Sequence, residues 1–265
     1  MESDWHAALA ALAWQYDLGV LEVVQDTPLN RYALPDAAKP LPAAPQLAAV
    51  PPSRAVDHPS GFETGVDVVA EARKMAAQAG DLAALRDAIQ RFDYCELKRG
   101  ARNLVFSDGL PTAHVLVLGE APGAEEDREG RPFVGRAGQL LDAMFAAIGL
   151  SRTATTPQEA LYITNVLPWR PPGNRDPEPA EIDMMRPFVE RHIALIDPKV
   201  IVVMGNTPLF TLTGERGILK ARGNWSQAMG RPLLPMAHPA YLLRNPAAKR
   251  EAWADLLALQ AKVRG

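Results

Sequence analysis

The chain has 265 residues, 48% hydrophobic and 22% charged, which is typical of a soluble globular protein with one large α/β domain and an appendage. No apolar run approaches the ~18 residues that a membrane span needs, and the acidic start lacks the basic region of a signal peptide, so we expect a cytoplasmic protein. The net charge of −3 argues mildly against a nucleic-acid partner, although it is compatible with a local basic patch. The single cysteine, Cys95, excludes an intrachain disulfide and an all-cysteine metal site, and the histidine spacing does not indicate a zinc site.

The N-terminal quarter of the chain is predicted to lie outside the main domain. Residues 4–24 repeat their apolar positions at helical spacing. From residue 34 to 60 the composition shifts to alanine and proline, which is typical of a semi-extended linker. The sequence leaves open whether the helix is a tethered appendage or docks a partner. The predicted divisions are an accessory helical segment over residues 1–33, a linker over 34–61 and the main domain over 62–265.

Helices and strands alternate along the main domain. Helical spacing of apolar residues predicts helices over residues 64–79, 82–91, 136–148, 178–196, 207–213 and 247–263. Short apolar runs predict a β segment over residues 103–106 and then four strands over 114–119, 161–167, 199–205 and 233–238. This alternation predicts an α/β fold, specifically a three-layer α/β/α sandwich with a central four-stranded parallel sheet.

Polar side chains follow each of the four predicted strands. Glu120 lies in the glycine-bearing loop after the first strand, Asn165 ends the second, and Asn206 and His238 follow the third and fourth. Because the carboxyl ends of adjacent parallel strands share one edge of the sheet, these groups can converge. Each residue type also has an ordinary structural role, as a loop cap, a turn former or a core side chain. Their expected convergence at one edge is what indicates a functional site.

Three motifs, in order, resemble the uracil-DNA glycosylases, and most closely the family 4 type, which is otherwise known for an iron–sulfur cluster. They are GEAPGAEEDREGRPFVGRAGQLLD at residues 119–142, ITN at 163–165 followed by RPPGNRDP at 170–177, and HPAYLLR at 238–244. The resemblance runs from about residue 81 to the C-terminus. It implies the glycosylase fold, single- or double-stranded uracil-containing DNA as the partner, and hydrolysis of the bond between uracil and its sugar in repair of deaminated cytosine.

The resemblance also implies roles for individual residues. Glu120 corresponds to the carboxylate that orients or activates the hydrolytic water, and Glu126 is a second acidic candidate in the same loop. Phe133 corresponds to the aromatic ring that stacks on the extruded uracil, and Asn165 to the amide that reads its Watson–Crick edge. His238 corresponds to the histidine that supports negative charge developing on uracil O2.

Further positions are implied in binding the base and the DNA. The base site is expected to include Gly119, Ala121 and Gly123, the last standing where the best-known branch has a tyrosine that excludes thymine. The leucines of the last motif belong to the loop that enters the duplex in the family. The residues expected to contact DNA are Arg170, Arg175, Asn206, Tyr241, Leu242, Leu243 and Arg244. We expect a monomer without a membrane partner, associated with the nucleoid if the source is a bacterium.

The chain departs from the family at the cluster. Four cysteines hold the cluster in family 4, and the corresponding positions here are Phe92, Cys95, Trp169 and Met185. One thiolate cannot hold an iron–sulfur cluster, and the replacements are large and apolar. We therefore expect a colourless enzyme without a cluster, any other metal or an organic cofactor. Trp169 is either a core side chain or a platform on which a base stacks.

Two rival functions remain open on the sequence. One is a uracil-DNA binder that traps its substrate covalently, although the chain lacks the basic insertion of the known trapping branch after the second strand. The other, of a different class, is a nucleotide-binding α/β protein that uses residues 119–123 as a phosphate cradle. That loop lacks the spacing of dinucleotide-binding and P-loop motifs, and the three acids that follow it would repel phosphate.

Overall fold

The computed structural model describes residues 66–264. The predicted accessory segment over residues 1–33, the linker over 34–61 and the predicted start of the main domain at residue 62 lie outside the described residues. Within residues 66–264, no helix is long and apolar enough to cross a membrane.

The described residues form one mixed sheet with the strand order β1-β3-β2-β4-β6-β5. The strands are β1 (Asp108–Gly109), β2 (Val115–Gly119), β3 (Leu161–Asn165), β4 (Val200–Met204), β5 (Ser226–Ala228) and β6 (Arg231–Met236). The four central strands, β3, β2, β4 and β6, are parallel, as the alternation of elements predicted. The short edge strands β1 and β5 pair antiparallel with β3 and β6, so the predicted four-stranded sheet is extended to six.

The predicted β segment over residues 103–106 is wrong. The structure places the edge strand at Asp108–Gly109, whose partners are Ile163 and Tyr162. In the predicted segment, Val105 donates one backbone hydrogen bond, of 2.9 Å, to the carbonyl of Pro168, which lies beyond the end of β3. An apolar run of four residues indicated extended backbone there without fixing which residues pair with the sheet.

Helices cover both faces of this sheet. They are α1 (Val68–Gln78), α2 (Leu82–Arg91), α3 (Leu97–Gly100), α4 (Ala124–Glu129), α5 (Arg136–Ala146), α6 (Pro179–Ile196), α7 (Asn206–Thr213), α8 (Ile218–Ala221), α9 (Pro239–Arg244) and α10 (Lys249–Arg264). The predicted helix over residues 82–91 is confirmed at both ends, and its cap is Asp81, whose side chain accepts a 2.8 Å hydrogen bond from the Ala84 amide. The short helices α3, α4, α8 and α9 were not predicted, because four to six residues are too few to show a helical period.

Alternate residues of the central strands enter two different apolar cores. Leu116 and Leu118 of β2 belong to a core that also contains residues of α1, α2 and α6. Val115 and Val117 point the other way, into a core with residues of α5 and α10. Since successive strand residues face opposite sides of a sheet, this division confirms the three-layer α/β/α sandwich. Each fully buried Val, Leu or Ile side chain contributes about 1.5–3 kcal/mol to that packing.

A buried polar pair ties β3 to α6. The Tyr162 hydroxyl lies 2.7 Å from Nε2 of His192, and the imidazole stacks on the Phe106 ring at 4.5 Å between centroids. Burial lowers the pKa of His192 to about 3 and raises the pKa of Tyr162 to about 12, so both groups are neutral at pH 7. The hydrogen bond satisfies both groups inside the core, which gives His192 a structural role.

Candidate active site

A cavity of about 700 Å³ opens at the carboxyl edge of the parallel strands. Glu120, Phe133, Asn165 and His238 all line it, which is the convergence that the strand order predicted. Ala121 and Gly123 line the cavity beside Glu120. Its volume lies within the range of small-molecule sites in proteins and exceeds what one pyrimidine fills.

Glu120 is held by a threonine that the sequence reasoning did not find. Thr207, on the first turn of α7, donates a 2.6 Å hydrogen bond from Oγ1 to Oε2 of Glu120. Burial raises the pKa of Glu120, the Thr207 hydrogen bond offsets part of that rise, and the nearby Asp176 adds to it. The threonine therefore orients the carboxylate and favours its ionised form.

Replacing Thr207 by Val keeps the side-chain shape and removes this donor. We expect activity at pH 7 to fall by about tenfold, because a hydrogen bond to a charged group is worth about 1.5–3 kcal/mol. The pKa of Glu120 should rise further, so the acid limb of the profile of rate against pH should move to higher pH. Rates measured across pH for the wild type, Thr207→Val and the matched control Thr207→Ser test this. A Val variant whose acid limb coincides with that of the wild type would contradict the role of Thr207.

Phe133 occupies a backbone conformation that side-chain-bearing residues rarely adopt. Its φ is +53°, and its side chain is 94% buried, with the ring centroid 5.5 Å from that of His238. Two glycines make room for it. A Cβ at Gly119 would lie 2.6 Å from the Phe133 ring and would overlap Oδ1 of Asn165. A Cβ at Gly138 would overlap the Phe133 carbonyl oxygen. Because Gly119 has no side chain, the Phe133 ring and the Asn165 side-chain amide can both lie against the end of β2.

Arg152 holds the backbone at Phe133. Its guanidinium donates to the carbonyl oxygens of Pro132 and Phe133, at 2.9 Å each, and pairs with Asp108 at 3.0 Å and Asp142 at 2.8 Å. The side chain is 9% exposed. A left-handed conformation costs a residue other than glycine roughly 1–3 kcal/mol, and persists only where neighbouring groups fix it. Arg152 lies outside every motif, so the sequence carried no signal for this role.

Glu126, the second acidic candidate, lines the cavity and is hydrogen-bonded by its own loop. One carboxylate oxygen, Oε1, accepts hydrogen bonds of 2.9 Å from the amides of Val134 and Gly135, and Oε2 accepts one of 3.1 Å from the Gly123 amide. These bonds close the loop between β2 and α5 on itself. A carboxylate whose two oxygens accept three backbone hydrogen bonds is held in place by the loop. The geometry makes Glu126 a positioning residue for the Phe133 loop.

Asn165 brings an unsatisfied acceptor to the cavity. Its side chain ends β3 beside Gly119, its register partner on β2, and it is 7% exposed. Within residues 66–264, its buried Oδ1 has no hydrogen-bond partner. A buried polar atom without a partner costs about 1–3 kcal/mol, so this oxygen is prepared for a ligand that donates a hydrogen bond.

His238 faces the cavity as a neutral imidazole. Its Nδ1 accepts a 3.1 Å hydrogen bond from the Ala240 amide, so the proton of the neutral ring sits on Nε2. Burial lowers the pKa of His238 to about 4, and the positive charge of Arg244 adds to the effect while Glu126 opposes it. At pH 7 the group is a fixed N–H donor without a net charge.

Comparison with known proteins identifies the family. A family model described as the uracil DNA glycosylase superfamily matches residues 106–257. The chain belongs to the uracil DNA glycosylase superfamily. It is similar to a type-4 uracil-DNA glycosylase of Sulfurisphaera tokodaii, with 42% identity over 162 residues, or 57% of this chain and 71% of the relative. It is also similar to the type-4 enzymes of Thermotoga maritima, at 40% identity over 59% of this chain and 80% of the relative, and Archaeoglobus fulgidus, at 36% over 61% and 82%. The resemblance inferred from the three motifs is confirmed.

The uracil DNA glycosylase motifs do not place all seven predicted DNA-contacting residues on the surface. Leu242 is fully buried in a small core with Ala237 and Ala252, so its side chain faces the protein interior in this structure, and its contact with the duplex stays a prediction. Arg175 is committed to Glu181, at 2.6 Å, and to Glu178, at 3.4 Å. Leu242 lies on α9, whose six residues are too few for helical spacing to distinguish an inward from an outward side chain.

The other predicted DNA contacts lie in or near the cavity mouth of this superfamily member. Tyr241 and Arg244 line the cavity, and Leu243 is exposed beside them on α9. Arg170 donates a 2.8 Å hydrogen bond to Oδ1 of Asn174 and makes no ion pair within the described residues. Asn206 lines the cavity too, but its Oδ1 accepts the amides of residues 217 and 218 and so caps α8.

The four positions that hold the cluster in type-4 glycosylases do not suit one here. Phe92, Cys95, Trp169 and Met185 are all buried members of the same apolar core, which makes Trp169 a core side chain. Cys95 is the single cysteine of the chain, and its thiol supplies one of the four ligands that a cluster needs. Within residues 66–264, no group of three or more His, Cys, Asp or Glu side chains is placed to hold a metal ion. The residues present therefore do not fit an iron–sulfur cluster.

Proposed function

We propose that this protein is a monofunctional uracil-DNA glycosylase, which hydrolyses the N-glycosidic bond of an extruded deoxyuridine and leaves an abasic site. The observation that carries the proposal is the unpaired Oδ1 of Asn165, buried in the same cavity as Phe133, His238 and Glu120. The type-4 relatives are named for this activity, and the chain shares their superfamily. A glycosylase must take its base out of the duplex, and a cavity of this size accommodates a pyrimidine with its sugar.

Asn165 supplies the selection for uracil. Its Oδ1 accepts from uracil N3–H, and its amide nitrogen donates to O4. Cytosine presents an acceptor at N3 and a donor at C4, so both hydrogen bonds would be replaced by unfavourable pairs. Each buried group left unpaired costs about 1–3 kcal/mol, which is a useful discrimination between the two bases. Phe133 offers its ring for stacking, and stacking is tolerant of base identity.

The chemical step separates charge. As the C–N bond breaks, positive charge develops on the sugar and negative charge on the uracil. His238 donates from Nε2 to uracil O2, and its neutral state matters because a preorganised donor stabilises the anion without surrendering its proton. Glu120 stabilises the cationic sugar and orients the attacking water. Thr207 keeps the Glu120 carboxylate in place, and Glu126 and Arg152 keep Phe133 in place.

Uracil release by the full-length chain tests the proposal. The protein is incubated with an oligonucleotide that carries one uracil, then treated with alkali and run on a gel, and free uracil is measured in parallel. We expect strand breakage at the uracil position and free uracil in molar excess over enzyme, with no breakage of matched oligonucleotides that carry cytosine. An oligonucleotide that stays intact would contradict the proposal, and a covalent protein–DNA adduct without free uracil would favour the trapping alternative.

We further propose that the enzyme works without an iron–sulfur cluster. The buried apolar side chains of Phe92, Trp169 and Met185 and the single cysteine of the chain support this. Purified protein should be colourless, contain no stoichiometric iron or acid-labile sulfide, and release uracil at the same rate after treatment with a chelator. Iron and sulfide at cluster stoichiometry, lost together with activity, would contradict it.

Oligomeric state and location in the cell are also part of the proposed function. We propose a monomer that works where the DNA of the cell lies, in the cytoplasm and at the nucleoid if the source is a bacterium. The proposed chemistry uses Glu120, Asn165 and His238, which line the same cavity within one chain, so it requires no residue from a second copy. Light scattering coupled to size-exclusion chromatography measures the oligomeric state, and the mass of a dimer would contradict this part.

A further inference from the structure

A segment outside the family motifs also reaches the cavity. We call residues 214–221, which follow α7 and include α8, the arm. Arg216 and Leu219 of the arm line the cavity together with the catalytic candidates. Both are exposed, and Leu219 keeps 52% of its surface in solvent, which is unusual for a leucine beside a site. Neither residue has a role in the mechanism described above.

The arm is fixed to the end of a central strand. Asn206, the first residue of α7 after β4, accepts hydrogen bonds at Oδ1 from the amides of Gly217, at 3.1 Å, and Ile218, at 2.8 Å. Ile218 is buried in the core beneath. Two side chains thus set the position of the arm relative to the sheet edge where the strands end, so Arg216 and Leu219 project from a supported turn.

Arg216 is oriented and lacks an anionic partner. Its guanidinium carbon lies 4.3 Å from the centroid of the Phe210 ring, and Arg186 approaches the same ring at 5.9 Å. Arg186 pairs with Asp183, whereas Arg216 has neither an ion pair nor a hydrogen bond to any residue that the structure describes. A guanidinium that is already stacked on an aromatic ring loses less conformational freedom when it binds an anion, and phosphate is one of the two anions whose oxygens match the planar set of N–H donors.

Two of the other charged side chains at the cavity already have partners within the protein. Arg175 is neutralised by Glu181 and Glu178, and the Glu126 carboxylate is satisfied by backbone amides. Arg244, on α9, is the other cavity-lining arginine without an ion pair to the described residues. The cavity mouth therefore has two arginines without an ion pair to the described residues, Arg244 on α9 and Arg216 on the arm. The family motifs include α9 but not the arm.

We propose that the arm is a second DNA-contacting element, in which Arg216 binds a backbone phosphate of the strand carrying the extruded nucleotide and Leu219 packs on an adjacent sugar or base. This inference rests on the proposed function. It explains why an arginine that is stacked on Phe210, with no anionic partner in the part of the chain that the structure describes, and an exposed leucine both lie at the mouth of the cavity.

Single-turnover cleavage of a uracil-containing oligonucleotide, at several enzyme and salt concentrations, tests the arm. Arg216→Ala should raise the half-saturating enzyme concentration without changing the maximal rate. It should also lower the slope of log affinity against log salt by about 0.7–0.9, the loss of one phosphate contact. Arg216→Lys keeps the charge and should retain the slope. Leu219→Ser should weaken binding with the slope unchanged, because it removes an apolar contact.

Arg73→Ala is the matched control, since Arg73 is an exposed arginine on α1 that does not line the cavity. An Arg216→Ala variant with the same half-saturation and salt slope as Arg73→Ala would overturn the phosphate contact, and a Leu219→Ser variant that binds like the wild type would overturn the apolar one. Failure of the wild type to release uracil would instead refute the proposed function, so the two failures are distinguishable.

Discussion

Glu120→Gln should lower the single-turnover rate of uracil release by about 10²–10⁴-fold, the range that positioned acid–base groups contribute. The substitution keeps the shape of the side chain and an oxygen to accept the Thr207 hydrogen bond. It removes the negative charge that would stabilise the cationic sugar and orient water. Because burial already disfavours the charged form of Glu120, the variant should fold at least as stably as the wild type.

Glu125→Gln provides the control for Glu120. Glu125 is an exposed carboxylate in the same loop and does not line the cavity, so the same chemical change there should leave the rate unaltered. Rapid-quench measurements with saturating enzyme isolate the chemical step from DNA binding. A Glu120→Gln variant with the wild-type rate, or a Glu125→Gln variant with an equal loss, would contradict the assignment of the carboxylate.

Asn165→Ala should separate activity from stability. We expect the rate to fall by about 10²–10³-fold, as when one preorganised donor is removed from a catalytic site. The free energy of unfolding should rise by about 1 kcal/mol, because the substitution deletes a buried acceptor that has no hydrogen-bond partner among residues 66–264. Loss of function together with gain of stability is the pattern expected of a group held ready for a ligand.

Asn103→Ala is the opposite case. The Asn103 side chain donates to the carbonyls of Asp127, at 2.7 Å, and Arg128, at 3.1 Å, and it lies outside the cavity. Its removal should lower the free energy of unfolding by about 1 kcal/mol and leave the rate unchanged. Chemical denaturation of both variants, alongside their cleavage rates, measures the contrast. If Asn165→Ala were destabilised and fully active, the amide would be a structural residue.

The sequence predicted the central layer of the fold well, because its strands are buried on both faces and read as continuous apolar runs. The helix over residues 82–91 was equally clear, since Asp81 caps an amphipathic period. The edge strands β1 and β5 have two and three residues, which is too short for any periodicity to show. Their pairing is decided by the sheet edge that the central strands create.

The sequence predicted the site residues that follow or end a parallel strand. It did not predict the residues that hold those side chains in place from other parts of the chain. Glu120, Asn165 and His238 each follow or end a parallel strand, so topology alone brings them together. Thr207 and Arg152 act on Glu120 and Phe133 from 87 and 19 residues away, as ordinary residue types without a motif. The inward side chain of Leu242 and the backbone contacts of Glu126 depend on local backbone geometry, which motif matching does not supply.

A crystal structure of the protein soaked with free uracil would show whether these four side chains form the uracil site. We expect a pyrimidine in the cavity with N3–H on Oδ1 of Asn165, O4 on its amide nitrogen, O2 on Nε2 of His238, and the ring stacked on Phe133. Uracil bound elsewhere, or a cavity that stays empty at saturating uracil while Oδ1 of Asn165 finds a protein donor, would contradict it.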